Sequence, residues 1–124
     1  MNQFTIIFAA IFGMTAIILG AFGAHALKKT LNLEQQKSFE TGVKYQMYHA
    51  IVLLLLGFQL KFTSPIENYI VYCFISGIVL FSFSIYGLVI SSSRNKKLRW
   101  LGPITPLGGL LLTLGWLGLL IKSL

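Results

Sequence analysis

The chain has 124 residues, of which 56% are hydrophobic and 10% are charged, whereas ordinary globular domains carry about 25% charged residues. A soluble domain of this length cannot bury so much apolar surface, which excludes a water-soluble fold. The net charge of +7 comes from basic residues that flank apolar runs, where anionic lipid headgroups are nearer partners than nucleic acid. We therefore expect one integral membrane domain over residues 1–124, with membrane lipids as partners and no nucleic acid.

Four runs free of Asp, Glu, Lys and Arg are long enough, or nearly so, to cross a bilayer as helices: residues 4–24, 45–60, 68–90 and 101–121. Crossing takes about 20 residues, because the hydrocarbon core is about 30 Å thick and each helical residue rises about 1.5 Å. A lipid-exposed backbone must also satisfy its own hydrogen bonds, and the chain has too few alternating segments for a barrel. The runs predict an all-α fold, a polytopic bundle of four transmembrane helices.

The first run has a second interpretation, a cleaved signal peptide, because Ala24-His25-Ala26 imitates a small-residue cleavage site. Two features oppose it. Residues 1–3 supply no basic segment, and the apolar stretch is longer than the usual 7–15 residues. We expect an uncleaved first helix.

The second helix is predicted to begin before its apolar run, near Leu33. Asn32 can cap it, and Gln35 stands three residues on, where it can complete a capping box. The first turns of this helix have an apolar and a polar face, which is typical of a helix lying partly in the membrane interface. We expect an interfacial amphipathic extension before helix two. For helix four, Thr105 is the predicted N-cap and Pro106 the first helical residue.

Basic residues concentrate in two of the loops. The loop after helix one and the loop after helix three carry eight of them, and the opposite side carries only Lys61 and Lys122. Because basic loops stay in the cytoplasm, both termini should lie outside it. The residues expected to contact lipid headgroups, at about 1 kcal/mol each, are Lys28, Lys29, Lys96, Lys97 and Arg99.

Glycines recur at helical spacings in three of the four runs. In lipid, close approach through small residues replaces the hydrophobic effect as the source of helix contact. We expect these glycines to close the bundle, and a gap for substrate passage or an oligomer contact are the alternatives. The predicted helix-packing residues are Gly13, Gly20, Gly23, Gly77, Gly87, Gly108 and Gly115.

No catalytic triad, phosphate-binding glycine loop or zinc-binding helix motif occurs in the sequence, so no catalytic residue and no cofactor is predicted. One candidate polar cluster remains: His25, Glu40, Tyr45 and His49. If helices one and two are antiparallel neighbours, the two histidines share a depth and can form a hydrogen-bonded clasp. A metal site on both histidines with Glu40, which is short of the four ligands of structural zinc, and a pH-responsive contact are the alternatives.

Three stretches resemble the small bacterial membrane proteins grouped as domain of unknown function 423, or YwdK/YgdD-like proteins. They are residues 20–27 (GAFGAHAL), residues 39–50 with Phe39-Glu40-Thr41-Gly42-Val43 and Tyr48-His49-Ala50, and residues 105–109 (TPLGG) followed by Gly115-Trp116. The resemblance implies a four-helix protein of the bacterial plasma membrane with no established reaction. Both histidines, Glu40 and Tyr45 fall within the matching stretches.

The sequence therefore favours a non-enzymatic membrane protein, structural or regulatory, that acts by helix packing with itself as a homo-oligomer, with a partner or with lipid. The alternative is a passive channel or small transporter, which the glycine-bearing helices would permit. A metal-dependent or other enzyme is the third interpretation.

Overall fold

In a computed structural model, which describes all 124 residues, every regular element is helical, as predicted. The elements are α1 (Asn2–His25), α2 (Leu33–Gln59), α3 (Pro65–Ile78), a π turn (Val79–Phe83), α4 (Ser84–Ser93), a 3₁₀ turn (Arg99–Leu101) and α5 (Ile104–Ser123). The π turn joins α3 and α4 into one continuous rod, Pro65–Ser93. Three helices are long and apolar enough to cross a membrane: Asn2–His25, Pro65–Ser93 and Arg99–Ser123.

The capping box at the start of α2 forms as the sequence predicts. The Gln35 backbone N–H donates to Asn32 Oδ1 at 2.8 Å, and the Asn32 N–H donates to Gln35 Oε1 at 3.0 Å. Two backbone donors that a helix start leaves free are thereby satisfied. The helix begins at Leu33, as expected.

The predicted start of α5 is wrong by two residues. The helix begins at Ile104 with Pro103 in the N-cap position, and no side chain caps it. The hydroxyl of Thr105 is instead hydrogen-bonded to the hydroxyl of Ser84 on α4, 2.6 Å away. Pro106 still lies in the first turn, where a missing N–H leaves no helical hydrogen bond unmade.

The bundle consists of two antiparallel helix pairs. In the first, α1 packs on α2, so that Gly20 faces Val43 and Gly23 faces Phe39. In the second, the rod packs on α5, so that Gly77 faces Leu112. Contacts between α2 and the rod join the pairs, around a core whose most buried side chains include Leu53, Ile70, Val71, Phe74 and Ile78.

Most of the predicted packing glycines lie where helices approach closely. A Cβ atom on Gly115 would lie 2.7 Å from a ring carbon of Phe74, and one on Gly108 would overlap the backbone of the π turn. A Cβ on Gly87 would lie 2.7 Å from the side chain of Leu101 in the 3₁₀ turn, whereas one on Gly13 would have only the Ala50 Cβ nearby, at 4.0 Å. The closest backbone approach is thus between Gly108 and the π turn.

Candidate functional site

His49 bridges α2 and α5 in the interior and is only 6% exposed. Its Nδ1 lies 2.7 Å from the Tyr45 carbonyl oxygen, and its Nε2 lies 3.1 Å from the indole Nε1 of Trp116. An indole N–H only donates, so Nε2 accepts, and the proton on Nδ1 donates to the carbonyl. Both ring nitrogens are therefore occupied, and the imidazole is held in one neutral tautomer.

An aromatic cluster surrounds this histidine. The ring of Phe74 lies 5.6 Å from that of His49 and 5.7 Å from that of Trp116, the latter edge-on. The ring of Tyr45 lies 4.9 Å from that of Phe81. Edge-on and tilted pairs at these separations are favourable aromatic geometry, so the cluster fixes α5 against α2 and α3.

The structure does not form the clasp between His25 and His49. His25 is exposed at the end of α1, and Glu40 is exposed with an oxygen 4.0 Å from the ammonium of Lys44. Since Gly23 faces Phe39 in an antiparallel pair, His25 is level with about residue 37, and His49 lies about twelve residues, roughly 18 Å, deeper along the helix axis. The first turns of α2 run alongside the end of α1 rather than beyond it. Of the four predicted residues, only Tyr45 and His49 are brought together.

No three His, Cys, Asp or Glu side chains come together in a geometry that could hold a metal ion. The single cysteine, Cys73, is half-buried on α3.

A buried hydrogen-bond network centred on Gln46 was not predicted. Gln46 is 0% exposed, and its Nε2 donates to the Phe12 carbonyl at 2.8 Å and to Thr15 Oγ1 at 2.7 Å. Its Oε1 accepts from the Tyr86 hydroxyl at 2.7 Å. The amide thus ties α1, α2 and α4 together. The sequence could have indicated this network, because a glutamine in a run of mostly apolar residues costs free energy unless its amide is hydrogen-bonded.

The π turn carries a second buried polar contact. The hydroxyl of Ser82 donates to the Gly42 carbonyl of α2 at 2.7 Å, and both groups are buried. Gly42 has no side chain, so Tyr86 and Ile85 of α4 pack directly against it. The π turn is therefore held to α2 on one side and to Gly108 of α5 on the other.

A cleft of about 670 Å³ opens between the first turns of α2, α4 and the connection from α4 to α5. Its floor is apolar and includes Ile85 and Val89, and its walls carry polar side chains. Among these, Glu34 comes from α2 and Lys97 from the connection. The Gln35 amide reaches the Ser92 hydroxyl at 3.4 Å and thereby links two of the walls.

The predicted headgroup residues lie at this end of the bundle, where Leu31 packs in one cluster with Ile85 and Val89. All five side chains are exposed. Two lie in the connection from α1 to α2, and three lie in the connection from α4 to α5, which includes the 3₁₀ turn: Lys28, Lys29, Lys96, Lys97 and Arg99. The opposite end contains Lys122, whose ammonium lies 3.5 Å from the buried carboxylate of Glu67.

Comparison with known proteins gives matches along most of the chain. The family model described as "Protein of unknown function (DUF423)" matches residues 19–109. A UPF0382 membrane protein of Staphylococcus epidermidis is 40% identical over 119 residues, covering 96% of this chain and 93% of the relative. The UPF0382 inner membrane protein YgdD of Escherichia coli is 36% identical over 124 residues, covering 99% and 91%. No solved structure matches.

Proposed function

Because the chain belongs to the family of membrane proteins described as protein of unknown function DUF423, we propose that it is a four-span, non-enzymatic protein of the bacterial plasma membrane. It acts by packing against lipid, a partner protein or a second copy of itself. Both basic connections face the cytoplasm, and both termini lie outside it.

The contacts of α2 support a fourth crossing, although its composition is less apolar than that of the three long apolar helices. It packs along α1 from Phe39, which faces Gly23, to Gly57, whose carbonyl accepts a hydrogen bond from the Asn2 amide at 2.8 Å. A helix that runs beside a spanning helix over its whole length crosses the bilayer with it. The polar side chains of Gln46 and His49 hydrogen-bond inside the bundle and are not presented to lipid.

The observation that carries the packing role is the filled interior. At mid-bundle Leu53, Val71 and Phe74 are 0% exposed, and the buried polar side chains of Gln46 and His49 are hydrogen-bonded within the chain. Tightly packed side chains with satisfied polar groups favour a helix-packing role over conduction. Most of the large apolar side chains of α1 and α5 are exposed on the outside of the bundle, as lipid contact requires.

A flux assay tests this function. Purified protein in liposomes should release K⁺, Cl⁻ and glycerol no faster than protein-free vesicles of the same lipid. Leak that rises in proportion to the amount of protein would overturn the packing role in favour of the channel. Incorporation is checked independently by protease accessibility of the loops in the same vesicles.

A further inference from the structure

We propose that the cleft between α2, α4 and the connection to α5 binds the headgroup of an aminophospholipid. Lys97 binds the phosphate, and Glu34 binds the primary ammonium. The inference rests on the proposed function for the position of the cleft at the cytoplasmic membrane surface.

The depth of the cleft suits a lipid headgroup. One wall is the amphipathic start of α2, and another is the basic connection that ends at Trp100, an aromatic side chain that is 65% exposed. Exposed tryptophan and basic residues concentrate where headgroups lie. Deeper along the same face of α2, Tyr45 is 42% exposed and packs on Phe81. The surface thus changes from polar to aromatic in the direction in which a phospholipid changes from headgroup to acyl chain.

The charges in the cleft complement a zwitterion that carries a phosphate and an amine. Glu34 and Lys97 are its only charged lining residues. Neither makes an ion pair, since the two ion pairs of the chain are Lys44–Glu40 and Lys122–Glu67. A primary ammonium donates up to three hydrogen bonds, whereas a choline group donates none. A purely anionic headgroup would leave the carboxylate facing negative charge.

The walls are held before any ligand arrives. The capping box fixes the turn that carries Glu34, and the hydrogen bond between Ser84 and Thr105 fixes the start of α5 against α4. The volume of the cleft, about 670 Å³, lies within the range of about 300–1,000 Å³ typical of small-molecule sites. A site built on fixed elements loses less conformational entropy on binding.

Native mass spectrometry of the full chain in detergent provides the test, with phosphatidylethanolamine, phosphatidylcholine and phosphatidylglycerol added at equal concentrations. We expect phosphatidylethanolamine to bind about tenfold more tightly than phosphatidylcholine, because only the former donates hydrogen bonds to a carboxylate. Soluble phosphoethanolamine, titrated in parallel, should compete only weakly, because it has no acyl chain. Competition at equal concentration would instead identify a water-soluble ligand and overturn the lipid assignment.

Two variants assign the roles. Glu34→Gln should abolish the preference for phosphatidylethanolamine over phosphatidylcholine, and Lys97→Gln should weaken all three lipids by about tenfold. The matched controls are Glu40→Gln, in a separate cleft between α1 and α2, and Arg94→Gln, an exposed basic residue three positions before Lys97 that lies outside the cleft.

Equal binding of the three lipids, or equal effects of the control variants, would overturn the site while leaving the packing role intact. Loss of every lipid adduct in the unsubstituted protein would overturn the site too, whereas only leak in the flux assay bears on the packing role. The readout is the difference between lipids for each variant, so a general change in stability does not mimic it.

Discussion

Gln46 satisfies polar groups on three helices with one side chain. Its amide nitrogen takes two acceptors on α1, and its oxygen takes the hydroxyl of Tyr86 on α4. Removing such a group costs more than the bonds themselves, because the partners stay buried without a replacement. The residue therefore stabilises one arrangement of α1, α2 and α4 over other packings of the same apolar faces.

Gln46→Ala should lower the free energy of unfolding by about 1–3 kcal/mol, because it removes the acceptor of the buried Tyr86 hydroxyl. Thermal denaturation in detergent measures the loss. Tyr86→Phe, which keeps the ring, is the matched variant. In the double variant Gln46→Ala/Tyr86→Phe the second change should cost less than it does alone. Strictly additive losses would contradict coupling between the two side chains.

At the scale of the helices, small residues set the distances between axes. Gly108 lets α5 approach the backbone of the π turn, whereas the next residue, Gly109, has space beside it. A Cβ at Gly109 would lie 3.7 Å from the ring of Phe81, which is ordinary van der Waals contact. Two adjacent glycines therefore have different roles, and only Gly108 requires the absence of a side chain.

Gly108→Ala should destabilise the bundle by about 1–3 kcal/mol, because backbone atoms must move apart to admit the methyl group. Gly109→Ala should be neutral or stabilising by up to about 1 kcal/mol, since alanine has the higher helix propensity. Melting temperatures of the two variants, measured side by side, distinguish the two roles. Equal losses would show that α5 is not held against the π turn as described.

The sequence predicted those parts of the fold that depend on neighbouring residues. The capping box at Asn32 and Gln35 is local, and it forms. Thr105 failed as a cap because its hydroxyl bonds to Ser84, which is 21 positions earlier in the chain. The shared depth of His25 and His49 depended on how far α2 overlaps α1, which is a matter of helix register that composition does not specify.

The candidate site was predictable only in part, for the same reason. Tyr45 and His49 are four residues apart on one helix, so their contact results from helical geometry. The hydrogen-bond partner of His49, Trp116, comes from α5. In the cleft, Glu34 precedes α4 in the sequence and Lys97 follows it. Such long-range contacts depend on tertiary packing, and no local pattern indicates them.

At the scale of the whole molecule, charge and packing agree on orientation. The two basic connections lie at one end of the bundle, and Lys122 and Glu67 pair at the other. Because Lys and Arg near the ends of spans stay in the cytoplasm, we propose that the end with the cleft faces the cytoplasm. With four spans, that proposed orientation would place both termini at the outer surface.

Thiol labelling of intact cells tests this topology. In a Cys73→Ser background, an impermeant maleimide should react with Lys61→Cys and Ser123→Cys directly. The control Lys28→Cys should react only after permeabilisation. If Lys61→Cys also required permeabilisation, α2 would not cross the bilayer, and the chain would have three spans.

The π turn in the rod changes the angle at which its two halves meet their neighbours. A π turn inserts one extra residue into the helix, which rotates the part downstream of it by about 100°, and Val79–Phe83 contains no proline. The face of α3 that carries Phe74 and Gly77 packs on α5, and after this rotation the face of α4 that carries Tyr86 packs on α2. A single helix thereby serves two partners in succession. The π turn Val79–Phe83 accordingly sets the rotation of α4 relative to α3. Both the Gln46 network and the floor of the cleft depend on this rotation, because α4 contributes residues to each.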